Sequence, residues 1–213
     1  IKTRKIRTAL YNVLPGEKAH ALMAPRPKYI EGIEGVHPCP PVNSAILALI
    51  VPFENELALP LIKRVNRGKY HGGQIAFPGG KMEKEDADAL QTALRECHEE
   101  IGVPEEKVSI LGVLSDIYIP LSNFNITPIV GTTLQLPDFI LSQDEVEKVI
   151  LVKLRDLFDD RNKTTHSFVR HDHKIIAPGY KIGENFIWGA TAMIIAELEQ
   201  LMKTNTFNHL GKL

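Results

Sequence analysis

The sequence predicts an α/β protein: a mixed sheet sandwiched between helices, with a helical extension in front. Three observations carry the prediction. Apolar runs of strand length recur through the chain, at 45–52, 57–64, 107–114, 126–133 and 146–154. An amphipathic helical pattern separates the second run from the third, and another follows the strands. Strands in the middle with helices between and after them cover both sides of one sheet. The first 43 residues hold only short helical stretches broken by proline.

Taken in order, residues 1–43 read as an appendage. A helix is expected near Ile6 to Val13, a break at Pro15-Gly16, a short helix over Glu17 to Met23, and then a Pro-rich connector. Each proline there fixes φ and removes a donor. The compact domain is expected over 44–213. "AILALIVP" and "LALPLIKR" make two strands around a turn at Glu54-Asn55. Leu90, Ala93, Leu94, Cys97 and Ile101 form the apolar stripe of a helix over Ala87 to Ile101, with Asp86 as its N-cap and Gly102 as its stop. "KVSILGVL", "ITPIVGTT" and "VEKVILVKL" supply further strands, and "HSFVRHDHKIIAP" reads as a hairpin turning near Asp172. His166, His171 and His173 alternate with turn residues, which favours an exposed hairpin over a transition-metal site. The last helix is expected over Ala190 to Lys203, with Ile194, Leu198 and Leu201 inward.

Composition narrows the function. The chain has 213 residues, 44% hydrophobic and 24% charged, which suits one main core. A net charge of −1 argues against a general nucleic-acid binder. Charge is uneven, since Lys2, Arg4, Lys5, Arg7, Lys18, Arg26 and Lys28 face a single early acid, Glu17. That arm reads as a solvated or subunit-packing segment, and a homodimer through it is one expectation. Two cysteines give neither a disulfide framework nor a metal pattern, and Cys97 reads as a small buried hydrophobe. No apolar run reaches the ~18 residues of a bilayer span, and no signal peptide opens the sequence given, so a cytoplasmic setting is expected.

The chemistry concentrates at "GGQIAFPGGKMEKEDADALQTALRECHEEIGV", residues 72–103. Glycines crowd one end, and Glu96, Glu99 and Glu100 crowd the other. Like charges one helical turn apart repel, so the arrangement calls for something positive between them. Arg95 can reach Glu99 along the helix. Oxygen-rich clusters suit hard divalent cations, which keep waters and substrate phosphates in their coordination. A turn at Gly79-Gly80 brings backbone groups close to the same place.

Arg95, Glu96, Cys97, His98, Glu99, Glu100, Ile101, Gly102 and Val103 resemble the second half of the signature of the Nudix hydrolases. In the first half, the stretch from Gly80 to Arg95 is one residue longer than the general motif, and Asp86 stands where a glutamate is usual. "HGGQIAFPGGK", Asp86 and "TALRE" are similar to the coenzyme A pyrophosphatase branch, which shares the extra residue. The likeness extends to "LGVL", "ITPIVG", "DEVEKV" and "FIWGATA", about residues 44 to 200. Upstream, Leu61 and Arg64 match the branch, whereas Ile62, Val65 and Lys69 replace Thr, Ser or Ala, and Arg.

The resemblance implies an α/β/α sandwich of the Nudix type and hydrolysis of a diphosphate in a small nucleotide substrate, coenzyme A or a derivative, to 3′,5′-ADP and 4′-phosphopantetheine. Other nucleoside diphosphate derivatives are the alternative, and a nucleotide-sensing module that does not cleave is a further one. It implies Mg²⁺ or Mn²⁺ held by Glu96, Glu99 and Glu100 with a backbone carbonyl of Gly80. Either Glu99 or Glu100 can instead be the general base, beside Arg95. Arg64, Arg67, Lys69 and Lys81 are candidates for the substrate's anionic groups, within a basic run that includes Lys63. Glu145 is an extra ligand or base from a loop, or an ordinary helix-start acid. Trp188 reads as core in preference to an adenine-stacking residue.

Overall fold

The structure is a computed structural model, and it describes residues 2–26, 39–66, 73–170 and 173–204. Strand β1 (Val42–Phe53) organises the fold. It begins ahead of the expected Ser44 and pairs in parallel with β7 (Phe124–Thr132) from Val42 opposite Phe124 to Ile50 opposite Thr132. Its other edge is antiparallel, to β2 (Glu56–Arg64) at one end and to β4 (Gly79–Lys81) at the other. Strand β2 also holds β3 (Ile75–Ala76) and β8 (Val146–Lys153). Strand β7 also holds β5 (Ser109–Val113) and β6 (Ile117–Ile119). The result is a mixed eight-stranded sheet.

The apolar run of β1 is continuous because both of its faces are buried. Ala45, Leu47, Leu49 and Val51 share one hydrophobic cluster with Ala93, Cys97 and Ile101. Those three residues lie on α3 (Ala89–Ile101). Ala48 and Ile50 point the other way, into a cluster with Leu154 and Leu157 of the short α4 (Leu154–Leu157) and Ile194, Leu198 and Leu201 of α5 (Gly189–Thr204). Alternation with period two splits a single strand between two cores. The turn between β1 and β2 places Glu54 and Asn55 at φ 47° and 62°, the left-handed pair that tight hairpins require.

A second sheet joins β9 (Lys163–Arg170), β10 (His173–Ile182) and β11 (Asn185–Trp188). The β9–β10 register sets Arg170 opposite His173, as the expected hairpin requires, while residues 171–172 lie outside the described set. His166 is exposed and stacks on Phe186 with ring centroids 3.9 Å apart. Trp188 is half-buried, packed edge-on to Phe168 at 4.8 Å.

The extension packs on its own chain. Helix α1 (Lys2–Leu10) ends earlier than the expected Val13, which is 97% exposed and has nothing to pack against. Ile6, Ala9 and Leu10 are buried in the same cluster as α5, together with Met23 of α2 (Glu17–Met23). Their spacing is that of one helical face. Burying a side chain such as Ile6 stabilises by about 1.5–3 kcal/mol. A polar staple adds to this. The fully buried Glu197 of α5 meets His20 Nε2 at 2.9 Å and accepts from the Gly16 amide at 3.0 Å and the Ser115 hydroxyl at 2.6 Å. Burial alone would raise the Glu197 carboxyl, but the bonds from His20, Ser115 and Gly16 outweigh it and hold its pKa down.

Candidate active site

The site forms where the start of β4 meets the last two turns of α3. Gly79-Gly80, expected as a turn, are strand residues paired with Ile46 and Ala45 of β1 directly after the bend at Pro78. A Cβ on Gly79 would collide with the Ala45 carbonyl oxygen and the Cα of Ile46, so only glycine lets β4 begin this close to β1. A Cβ on Gly80 would collide with the carboxylate of Glu96. The two glycines therefore serve different neighbours, one the sheet and the other the helix.

Helix α3 starts later than the sequence suggests. Asp88, and not Asp86, is its N-cap, accepting from the Gln91 amide at 2.9 Å. Asp86 is committed elsewhere. It takes two bonds from Arg95, Nε to Oδ1 and Nη2 to Oδ2, both at 2.9 Å, and also accepts from the Glu83 amide and the buried Thr92 hydroxyl. The Arg95 guanidinium beside it holds the Asp86 carboxyl well below the usual range, against a raising effect of burial. Gly102 ends the helix at φ 71°, with its amide donating to the His98 carbonyl.

Two arginines supply the positive charge that the glutamate run calls for. Arg95 Nη1 donates to Glu99 at 2.9 Å and to Glu96 at 3.1 Å, while Nη2 reaches the Lys81 carbonyl at 3.1 Å. Arg64 Nη2 donates to the Gly79 carbonyl at 2.8 Å and stands 3.3 Å from Glu100 Oε1. Glu100 is 1% exposed, and its Oε2 accepts from the Gly79 amide at 2.9 Å. Burial pushes its pKa up to about 7, opposed by Arg64 and the Gly79 amide and reinforced by Glu96 and Glu145. Glu96 is raised too, first by burial, against the pull of Arg95 and with Glu99 and Glu145 adding to the rise.

The three glutamates do not converge. Glu96 and Glu100 both lie against Gly79-Gly80 of β4, whereas the Glu99 side chain is 56% exposed and drawn to Arg95. Among the described residues, no group of three or more His, Cys, Asp or Glu side chains stands close enough together to hold a metal ion. The donor chemistry nonetheless fits a hard cation. The candidate donors are oxygens, and neighbouring carboxylates oppose the ionisation of Glu96 and of Glu100.

The other expected residues are scattered. The Lys81 side chain is exposed at the end of β4. Lys63 is paired with Glu147 at 2.7 Å. Glu145 is exposed in a turn leading into a strand, not a helix, and its carbonyl accepts from the Val65 amide at 2.9 Å. Arg67 and Lys69 lie outside the described residues. Sequence reasoning missed Thr92 as a partner of Asp86. Its signal was a polar residue one step from the apolar stripe.

The family model described as NUDIX domain matches residues 43–171. The chain belongs to the Nudix family. Among its Nudix relatives, an uncharacterized Nudix hydrolase NudL of Enterobacter sp. (strain 638) is 34% identical over 161 residues, 74% of this chain and 82% of that protein. A NudL of Pectobacterium atrosepticum is 35% identical over 158 residues, 73% and 80% of the two chains. Among solved structures, the Nudix hydrolase RenU of M. smegmatis shares the fold, with a TM-score of 0.52 at 15% identity over 82% of this chain and 91% of that one. The protein is thus a Nudix hydrolase, a pyrophosphatase of nucleoside diphosphate derivatives, in a family that uses divalent metal cations. No helix among the described residues is long and apolar enough to cross a membrane.

Proposed function

We propose that this Nudix hydrolase cleaves the diphosphate of coenzyme A or a close derivative to 3′,5′-ADP and 4′-phosphopantetheine. The observation that carries the hydrolytic half is Gly79-Gly80, at the start of β4, lying against both Glu96 and Glu100. The coenzyme A half rests on the likeness of "GQIAFPGGK" and the longer stretch before Arg95.

In this reading Glu96, Glu99 and Glu100, with the carbonyl of Gly80, would hold Mg²⁺ or Mn²⁺, which requires Glu99 to swing from Arg95 toward the other two. When bound, the ion neutralises charge on the diphosphate oxygens and lowers the pKa of the attacking water. Water adds to phosphorus, one phosphoric anhydride bond breaks, and a proton passes to a base supplied by Glu99 or Glu100. Arg95 orients Glu96 and Glu99 through its two bonds from Nη1. Lys81, Arg67 and Lys69 are the candidate contacts to the substrate phosphates, and Glu145 is a candidate additional ligand or base.

Residues 1–43 serve as a packing extension to the catalytic domain. A homodimer through it has a concrete motive in the exposed Tyr11, Val13 and Leu22, and light scattering decides it.

The functional test is a substrate panel. Coenzyme A is expected to be hydrolysed with a higher kcat/KM than ADP-ribose or dinucleotides, and excess chelator is expected to abolish turnover. Coenzyme A no better than ADP-ribose would move the substrate assignment elsewhere in the same class. Undiminished turnover in chelator would remove the metal from the scheme.

A further inference from the structure

Arg64 closes β2 at the point where that strand's pairing with β8 breaks register. Lys63 stands opposite Lys148, and Arg64 stands opposite Val146, which leaves Glu147 as the extra residue. Such a bulge re-aims a side chain. Lys63 is paired with Glu147, while the Arg64 guanidinium reaches the start of β4. The Arg64 backbone is pinned on both sides, its amide donating to the Gln74 carbonyl at 3.0 Å and its carbonyl accepting from the Gly73 amide at 2.9 Å.

Three groups then close a ring. Arg64 Nη2 donates to the Gly79 carbonyl at 2.8 Å, the Gly79 amide donates to Glu100 Oε2 at 2.9 Å, and Glu100 Oε1 lies 3.3 Å from Arg64 Nη2. Gly79 is held by both its amide and its carbonyl, and the next residue, Gly80, is the one against which the Glu96 carboxylate rests. The Arg64 side chain is 32% exposed, and its shorter polar contact is to Gly79.

We infer that Arg64 is a positioning residue: through Gly79 and Glu100 it sets the glycine pair and carboxylates that receive the cation, and it is not a contact to the substrate's phosphates. The inference rests on the metal-dependent reading above. Partners of this kind, one step behind the ligands, typically change metal affinity or activity about 10–100-fold when removed. A residue that bound substrate alone would change KM.

The test uses Mn²⁺ alone, titrated against the full-length protein and followed by electron paramagnetic resonance, with no substrate present. Arg64→Met is expected to bind Mn²⁺ roughly 10-fold more weakly than wild type. Arg64→Lys keeps the charge beside Glu100, but an ammonium does not reproduce the planar fork, so a smaller loss of the same sign is expected. The lysine variant also keeps the test open should Arg64→Met not fold. In parallel, kcat is expected to fall for coenzyme A and ADP-ribose alike, with KM for each little changed. Wild-type Mn²⁺ affinity in a folded Arg64 variant would overturn the inference, as would a raised KM at an unchanged kcat. Absence of Mn²⁺ binding by the wild type would defeat the functional reading itself, so the two failures are told apart.

Discussion

Asp86 and Arg95 meet in a two-pronged ion pair nine positions apart, Nε to Oδ1 and Nη2 to Oδ2, each at 2.9 Å. The pair ties the loop after β4 to the outer face of α3, and through Arg95 it reaches Glu96 and Glu99. Stability and site geometry therefore share one contact.

Its pH signature follows from the sign of the shift. Asp86 has a folded pKa lowered mainly by the Arg95 bonds. Its contribution is complete above the unfolded value of about 4 and is lost as pH falls through the lower folded value. Wild type should lose stability below about pH 4, and Asp86→Asn should lack that component. Asp86 is buried and Arg95 partly exposed, so losing this charge-assisted pair costs roughly 1–3 kcal/mol at neutral pH. Urea unfolding of both proteins between pH 3 and pH 7 checks the magnitude and the slope.

Gly79→Ala and Gly80→Ala should separate stability from activity. The new methyl at Gly79 meets backbone of β1, which cannot move aside, so a loss of at least about 2 kcal/mol is expected. At Gly80 it meets the flexible end of Glu96, which can swing away at little cost to the fold. The displaced carboxylate should lower kcat on the order of 10²-fold. Thermal melts and turnover on the same two variants distinguish the outcomes. Equal effects of the two on stability would refute the division of labour.

A chain beginning at Arg26 should lose stability before it loses any chemistry. It lacks Ile6, Ala9, Leu10 and Met23 from the core and deprives the buried Glu197 of His20 and Gly16. His20→Ala is the gentler version, leaving a buried carboxylate one partner short, and should cost about 1–3 kcal/mol. Denaturant midpoints for both, with kcat measured well below the transition, are the relevant data. An unchanged midpoint after loss of all 25 residues would contradict the packing described.

Local patterns carried much of the fold. The Glu54-Asn55 turn, the two-faced apolar run of β1 and the Gly102 stop are written in adjacent residues. The N-cap was misassigned because Asp86 and Asp88 both suit it, and the choice is made by Arg95 across the loop. The extension's helix is legible, but it reads as a solvated or subunit-packing arm because the partners of Ile6, Ala9 and Leu10 lie in α5, far along the chain. For the candidate site, the signature pointed to the glycine pair and the glutamates, though the pair opens β4 and is not the turn expected. The ring of Arg64, Gly79 and Glu100 depends on a strand bulge and on contacts 15 and 21 residues apart, which no short window displays.

The Glu197 staple also bears on the order in which the molecule assembles. His20 and Glu197 are separated by 177 positions. Closing so long a loop costs entropy that local contacts do not repay, and synthesis delivers the amino end long before its partner. The sheet around β1 can therefore form on the ribosome while α1 and α2 wait, with Ile6 and Met23 uncovered. These two helices are made before the sheet yet are among the last elements to be locked, and that interval is when a chaperone has the most to hold.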